Sequence, residues 1–464
     1  MNVRTFGLAI ASIMVLLTPA FGEEVAVPAS SAAGLSETPP TVVAARSSSS
    51  FTLKESIEIA LQKSPTLQAA QGAIKAAKYR RLGAISDFLP QVSSEYSYTR
   101  LDRAPSFFYP PPAYPGGLTV ITGTKNNYNL TNTVTQPVFT GGALINSYLL
   151  AKIGVDIARV EFERTKLDLV LQVKEAYYGV LKAEKGLEVA EQAVAQLDSH
   201  HTVAQAFFDV GIIAKNDLLQ VEVQLAQARQ NLIKAQNALA ISRAVFNTLL
   251  RRSITDEVRL EEPLEYIPLT IDVNRFTEEA FRERPELKAS DLGVKAAKKE
   301  VGIAASALFP QVSIVFNYER FGDEPSVNGS RFSSDADSWN VMGVARWNIW
   351  DWGKAWWGVG EQKAKVFQAE CALKEVTDAV RLEVTEASLL VVEVRQSIQV
   401  AETAVGQAEE NYRISEERYK EQVATSTEVL DALTLLTQAK TNYYTALSDY
   451  NVAKARLQRA IGGM

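Results

Sequence analysis

The stretch PELKASDLGVKAAKKEVGIAASALFPQVSIVFNYER, Pro285 to Arg320, has an earlier form in the same chain. That form is PTLQAAQGAIKAAKYRRLGAISDFLPQVSSEYSYTR, Pro65 to Arg100, and the two align without a gap at a shift of 285 − 65 = 220. Lys75-Ala76-Ala77-Lys78 meets Lys295-Ala296-Ala297-Lys298, and Pro90-Gln91-Val92-Ser93 meets Pro310-Gln311-Val312-Ser313. Tyr98 and Arg100 meet Tyr318 and Arg320; roughly 15 positions agree in all, far above chance for an ungapped match. The chain is two copies of one unit, and every element has to be read twice.

In both copies a helical pattern gives way to a period of two at the Pro-Gln-Val-Ser motif. Val92, Tyr96 and Tyr98 alternate with Ser93, Glu95 and Ser97; Val312, Ile314, Phe316 and Tyr318 alternate with Ser313, Asn317 and Glu319. The return strands repeat the pattern. Tyr128, Leu130 and Val134 stand against Asn129, Thr131, Thr133 and Thr135, and Trp339, Val341, Ala345, Trp347 and Ile349 against Asn340, Arg346 and Asn348. Between the strands, Ala104 to Gly117 is too rich in proline for regular structure, and Gly322 to Asp337 is the matching loop. Glycine-containing turns follow, Phe139-Thr140-Gly141-Gly142 and Trp350-Asp351-Trp352-Gly353, and from there the copies match at an offset of about 211.

Past each turn the apolar spacing alternates three and four for a very long way. It runs through Val173, Val180, Leu187, Val194, Leu197, His201, Ala204 and Phe208 in the first copy, and Val384, Val391, Ile398, Val405, Tyr412 and Tyr419 in the second. After breaks at Gly211 to Asn216 and Gln422 to Thr427, returning stripes begin at Leu218 and Val429. Sustained heptads predict coiled-coil helical hairpins. Outgoing helices of roughly 70 residues would each span about 100 Å at 1.5 Å per residue.

The resulting organisation is a first repeat over residues 51–252, with a β-hairpin at 91–139 and a helical hairpin at 141–252. A connector covers 253–275. The second repeat covers 276–462, with a β-hairpin at 311–350 and a helical hairpin at 352–461. Thr52-Leu53-Lys54-Glu55 is a capping box that opens the first short helix. Residues 1–22 read as a signal peptide, with Arg4 ahead of the apolar run Phe6 to Leu17 and small residues at Ala20 and Gly22. No cysteine stands directly after the cleavage region, so no lipid anchor is expected, and 23–50 read as a disordered leader of Ala, Ser, Pro and Val.

Across its 464 residues the chain is 47% hydrophobic and 22% charged, with a net charge of −6. A mild acidic excess offers no basic face for nucleic acid. Cys371 is the only cysteine and forms no internal disulfide. No run of about 18 apolar residues follows the signal, so any membrane crossing has to be a barrel. Four strands cannot close one, and an exposed sheet with Trp, Tyr and Phe on one face would aggregate. The strands therefore close with those of other subunits. Two subunits would give eight strands around a core filled by side chains; three would give twelve, which suits a polar, water-filled inner face.

On these residues the chain resembles the outer-membrane efflux proteins of Gram-negative bacteria, the TolC-like channel-tunnels. The resemblance covers about residues 51 to 462. It rests on the duplication, the Leu89-Pro90-Gln91-Val92 and Phe309-Pro310-Gln311-Val312 motifs and the turn Phe139-Thr140-Gly141-Gly142. It rests also on the hairpin tips, Phe208-Asp209-Val210-Gly211 leading to Asp217, and Tyr419 leading to Glu428-Val429-Leu430-Asp431. It implies a mainly α protein with membrane β structure: a homotrimer with a 12-stranded β-barrel on a long α-barrel. It also implies an exit duct in the outer membrane serving an RND or ABC type inner-membrane pump through a periplasmic adaptor, in efflux or type I secretion. A periplasmic coiled-coil scaffold or adaptor is the other reading that the helices and export signal allow, but it leaves the strands unexplained.

Residues for catalysis are hard to find. His200 and His201 are the only histidines, and His201, in the heptad stripe, reads as a packed seam residue. No spaced Cys/His ligands, phosphate-binding glycine loop or nucleophile elbow is present, so no catalytic residue, metal or cofactor is expected. Trp339, Trp347, Trp350 and Trp352, together with Trp356 and Trp357, gather where strand becomes helix, as an aromatic belt at a membrane interface would. Asp217, Glu428 and Asp431 lie at hairpin tips, where acids commonly cap helices. Glu428 and Asp431 share one helix face by their i, i+3 spacing, and the resemblance places both at a pore constriction. It also pairs Tyr419 with Asp217 in a gate, whose matching Arg position holds Ala424 here.

Overall fold

The computed structural model describes residues 50–463; the expected signal peptide and all but the last residue of the leader lie outside the described residues. Short strand β1 (Ser50–Phe51) leads into α1 (Leu53–Lys63), α2 (Pro65–Ser86) and β2 (Gln91–Arg100). Thr52 and Glu55 form the expected reciprocal capping box, and Pro65 opens α2, where its missing N–H costs nothing.

Strand β3 (Ser106–Tyr109) forms inside the stretch Ala104 to Gly117 read as an irregular loop, and pairs with β4 (Leu118–Ile121) just past it. Ser106-Phe107-Phe108-Tyr109 is a β-forming run that ends before the prolines, and Pro110, Pro111 and Pro112 fall in the turn, where no ladder donor is needed.

β5 (Asn126–Phe139) and α3 (Ala143–Asp209) complete the first outward path, and α4 (Lys215–Leu249) returns. The connector contains β6 (Arg259–Leu260), which pairs in parallel with β1, and gives way to α5 (Val273–Glu283) and α6 (Pro285–Ala305). β7 (Gln311–Gly322), β8 (Asp337–Arg346), α7 (Lys354–Lys420) and α8 (Ser426–Ile461) repeat the first half. The outgoing helices α3 and α7 have 67 residues each. Among the described residues, no helix is long and apolar enough to cross a membrane.

The four long strands form one antiparallel sheet in the order β2-β5-β7-β8. Its register sorts the two faces across the full width. Val92, Val134, Phe316 and Val341 form one row, and Ser93, Thr133, Asn317 and Asn340 form the row behind it. The polar row is joined by hydrogen bonds, Thr133 Oγ1 to Asn317 Oδ1 at 2.9 Å and Asn317 Nδ2 to Asn340 Oδ1 at 3.3 Å. Pro137 is tolerated in the inner strand β5 because the register shifts there, between Pro137 and Phe139. β8 stops at Arg346 rather than continuing to Trp350 as the alternation suggested. Its neighbour β7 begins opposite Arg346, at Gln311, and Pro310 has no N–H to extend the ladder.

The helical cores lie at two levels. Near the connector, Tyr177, Phe246, Leu250 and Val258 are fully buried; Tyr177 donates its hydroxyl to Phe51 O (3.2 Å) and accepts from Glu262 N (3.3 Å). An ionic network ties the halves together there. Arg459 on α8 reaches Asp168 on α3 (2.6 Å) and Glu286 on α6 (2.5 Å), while buried Arg284 bonds Glu286 (2.9 Å), Glu383 on α7 (2.7 Å) and Ala460 O (3.0 Å). Burial alone would raise the Glu286 carboxyl; the Arg459 hydrogen bond and the Arg284 and Arg459 charges hold it below its ordinary range. At the other level both hairpin tips share one apolar cluster, with Leu197, Ala204, Leu218 and Val221 against Tyr419, Val429 and Leu433.

Candidate functional site at the hairpin tips

The two tips are built alike. α3 ends with Gly211 N bonded to Phe208 O (2.9 Å) and Ile212 N to Phe207 O (2.8 Å). α7 ends with Gln422 N bonded to Tyr419 O (2.9 Å) and Val423 N to Arg418 O (2.8 Å), the same bonds 211 positions on. This is the Schellman termination, which needs a left-handed residue just past the helix. The first tip supplies Gly211 (φ 80°); the second supplies Gln422 (φ 63°).

The returning helices start differently. α8 has Thr425 as its N-cap in a full capping box with Glu428, whose carboxylate accepts from Thr425 N at 3.3 Å. Glu428 also meets Arg418 at 3.6 Å across the turn. α4 is capped by Ala214, which has no side-chain oxygen, and Asp217 stands in its first turn without a capping bond. Glu428 is therefore a cap as well as a tip acid, and Asp217 is not a cap. Asp431 is exposed one turn beyond Glu428.

Tyr419 is buried, at 3% exposure, yet its hydroxyl makes no hydrogen bond among the described residues, so the expected bond to Asp217 is not formed within the protomer. Burial pushes its phenol above the ordinary value, partly offset by the nearby Ser426 hydroxyl and reinforced by the Asp217 charge. The ring packs on His200 (centroids 4.7 Å apart) and Phe207 (5.4 Å).

His200, not His201, is the packed histidine. It is 4% exposed, and its Nε2 lies 2.9 Å from Ser426 Oγ at the start of α8. Burial lowers its pKa to about 4, against the pull of Glu416 and with the help of His201. His201 is half-exposed, 3.8 Å from Glu222. The signal was available: Ala193, Leu197, His200 and Ala204 are also spaced four, three and four, sharing Leu197 and Ala204 with the stripe through His201.

At the opposite end of the long helices, Trp350 and Trp352 are 73% and 85% exposed, with ring centroids 5.7 Å apart. Trp339 stands on β8 beside Phe316, with centroids 6.4 Å apart. Trp347 donates Nε1–H to Leu308 O at 3.2 Å, as Gln136 Nε2 does to Phe88 O (3.0 Å) in the first copy. The tips and the tryptophans are thus separate sites, joined only by the helices.

A model of a family described as outer membrane efflux protein matches residues 56–250 and 277–463. The probable efflux pump outer membrane protein TtgC of Pseudomonas putida is 21% identical over 64% of this chain and 61% of its own length. The outer membrane protein TolC of Vibrio cholerae is 24% identical over 65% of this chain and 69% of its own. The chain thus spans about three fifths of the length of the first curated relatives it matches. The Campylobacter jejuni CmeC outer membrane channel shares the fold with a TM-score of 0.76, at 17% identity, over 89% of this chain and 85% of that one. With both repeats matched, the chain belongs to the outer membrane efflux protein family.

Proposed function

We propose that this chain is one subunit of a homotrimeric duct in the outer membrane of a Gram-negative cell. It conducts substrates passively from an inner-membrane pump of RND or ABC type, through a periplasmic adaptor, to the exterior. The observation that carries this reading is a sheet apolar on one face and polar on the other, attached to two helices of 67 residues. Such a sheet needs lipid on one side and water on the other. The apolar row through Phe316 faces lipid, the row through Asn317 faces the lumen, and Trp339, Trp347, Trp350 and Trp352 lie at the membrane interface. Glu428 and Asp431 line the periplasmic constriction, and Asp217 and Tyr419 belong to its gate.

The test is heat-modifiable migration of the outer-membrane fraction together with conductance in planar bilayers. A soluble periplasmic protein without conductance would return the chain to the scaffold reading. Deleting the gene and profiling sensitivity to drugs, metals and solvents identifies the substrate class.

A further inference from the structure

The sheet carries a template for the edge it leaves open. Gln91 faces Thr135 in the first hairpin and Gln311 faces Arg346 in the second. Since 311 − 91 = 220 and 346 − 135 = 211, β7 is the counterpart of β2 at a shift of 220, and β8 of β5 at 211. The two hairpins join through β5 and β7, with Thr135 opposite Val315, Thr133 opposite Asn317 and Asn132 opposite Tyr318. The counterpart of that junction is β8 against β2, the sheet's two outer strands, which no strand joins among the described residues.

Moving each residue of the internal junction by its own shift gives the missing register. Thr135 becomes Arg346 and Val315 becomes Glu95; Thr133 becomes Val344 and Asn317 becomes Ser97; Asn132 becomes Gly343 and Tyr318 becomes Tyr98. We propose that β8 of one copy pairs antiparallel with β2 of the next in this register, with Arg346 opposite Glu95 of the neighbour. That these two edges meet follows from the trimeric reading, on which the proposal rests; what is added is the register and the Arg346–Glu95 pair.

Charge complementarity carries the choice of occupant. Thr135 and Val315 inside the protomer are uncharged, and their counterparts at the open edges are one cation and one anion. Both are exposed, and neither enters an ion pair among the described residues. Both lie on the polar face, Glu95 opposite Thr131 and Arg346 opposite Gln311. Opposite charges directly across an antiparallel pair attract, whereas a slip by one residue puts the two side chains on different faces. Tyr98 opposite Gly343 fits the same alignment, since an aromatic ring can cover the bare glycine backbone.

Cysteine pairs test this in the full chain carrying Cys371→Ser. Glu95→Cys with Arg346→Cys should give disulfide-linked multimers on oxidation. The slipped pair, Ser94→Cys with Arg346→Cys, should give roughly tenfold fewer, because facing Cβ atoms lie about 5 Å apart and slipped ones beyond bonding reach. Arg346→Glu alone should lower the temperature at which the unboiled multimer dissociates, and adding Glu95→Arg should restore it. Preferential linkage of the slipped pair, or an intact multimer linked by neither pair, overturns the register. A monomer under all conditions overturns the trimeric reading and the register with it.

Discussion

Gln422 occupies in the second half of the chain the place that Gly211 holds in the first, and it keeps the left-handed backbone, with φ of 63° against 80°. Trp352 stands in the same relation to Gly141, with φ of 56° against 63°. Left-handed backbone costs a residue with a Cβ about 1–2 kcal/mol. Gln422→Gly should therefore raise the protomer's stability by about 1 kcal/mol in denaturant unfolding. Gly141→Ala should lower it by more than that, because the new Cβ would also sit 2.6 Å from Ser306 O. An unchanged midpoint for Gly141→Ala would mean that the turn relaxes freely.

Removing charge from the tip acids has to be separated from removing a helix cap. Glu428→Gln keeps the capping-box geometry, whereas Glu428→Ala should also cost about 1 kcal/mol in helix capping. Three subunits would place six carboxylates in one ring, which favours cations and binds multivalent ones most strongly. Glu428→Gln with Asp431→Asn should reduce cation selectivity and periplasmic-side block by multivalent metal ions while leaving assembly intact. Reversal potentials in a salt gradient read this directly, and wild-type values in the double variant would place the constriction elsewhere.

The unbonded hydroxyl of Tyr419 makes Tyr419→Phe a clean substitution. Among the described residues it removes no hydrogen bond, so thermal stability should hardly move. If the hydroxyl meets Asp217 of a neighbouring subunit in the closed tunnel, open-channel conductance should rise. Unchanged conductance would leave Tyr419 as a packing residue of the tip cluster.

Acid should loosen the tips. The His200 pKa, lowered to about 4, lies below its unfolded value near 6.5, so the neutral ring is the one the fold accepts. The stabilisation is fully present above pH 6.5 and is lost as pH falls toward 4, amounting to about 3 kcal/mol in total. Hydrogen exchange at Ser426 to Glu428, corrected for intrinsic rates, should quicken across that window, and His200→Gln should flatten the dependence. Equal slopes in the two proteins would assign the effect to other groups.

The network around Arg459 should behave as a buried ion cluster. Arg459→Ala removes the bonds to Asp168 and Glu286 but leaves Arg284 and Arg164 beside Glu286 and Arg164 beside part-exposed Asp168, so it should cost roughly 1.5–3 kcal/mol. Unfolding midpoints measure this; a loss below about 1 kcal/mol would mean that Arg284 and Arg164 suffice to hold Glu286.

The parts of the fold carried by repetition were legible in the sequence. Heptads that persist from Val173 to Phe208 leave no alternative to a long helix, and a period of two leaves none to a strand. What escaped depended on partners distant in sequence. β8 ends at Arg346 because of Pro310, which no property of Trp347 or Ile349 announces. His200 and His201 both fit a three-four spacing through Leu197 and Ala204, and only the packing of Tyr419 and Ser426 chooses between them. The capping roles of Asp217 and Glu428 turned on one residue three positions before each, Ala214 against Thr425.

The equal length of α3 and α7, 67 residues each, makes the chain its own gauge. Inserting one residue into either helix would advance its tip by about 1.5 Å and turn it by about 100°, carrying the Tyr419 or Phe208 face away from its neighbours. Only whole heptads preserve the facing, and only when both outgoing and both returning helices change together do the tips stay level. The span from sheet to tip can therefore change only in steps of about 10 Å, each requiring four coordinated insertions or deletions in one chain.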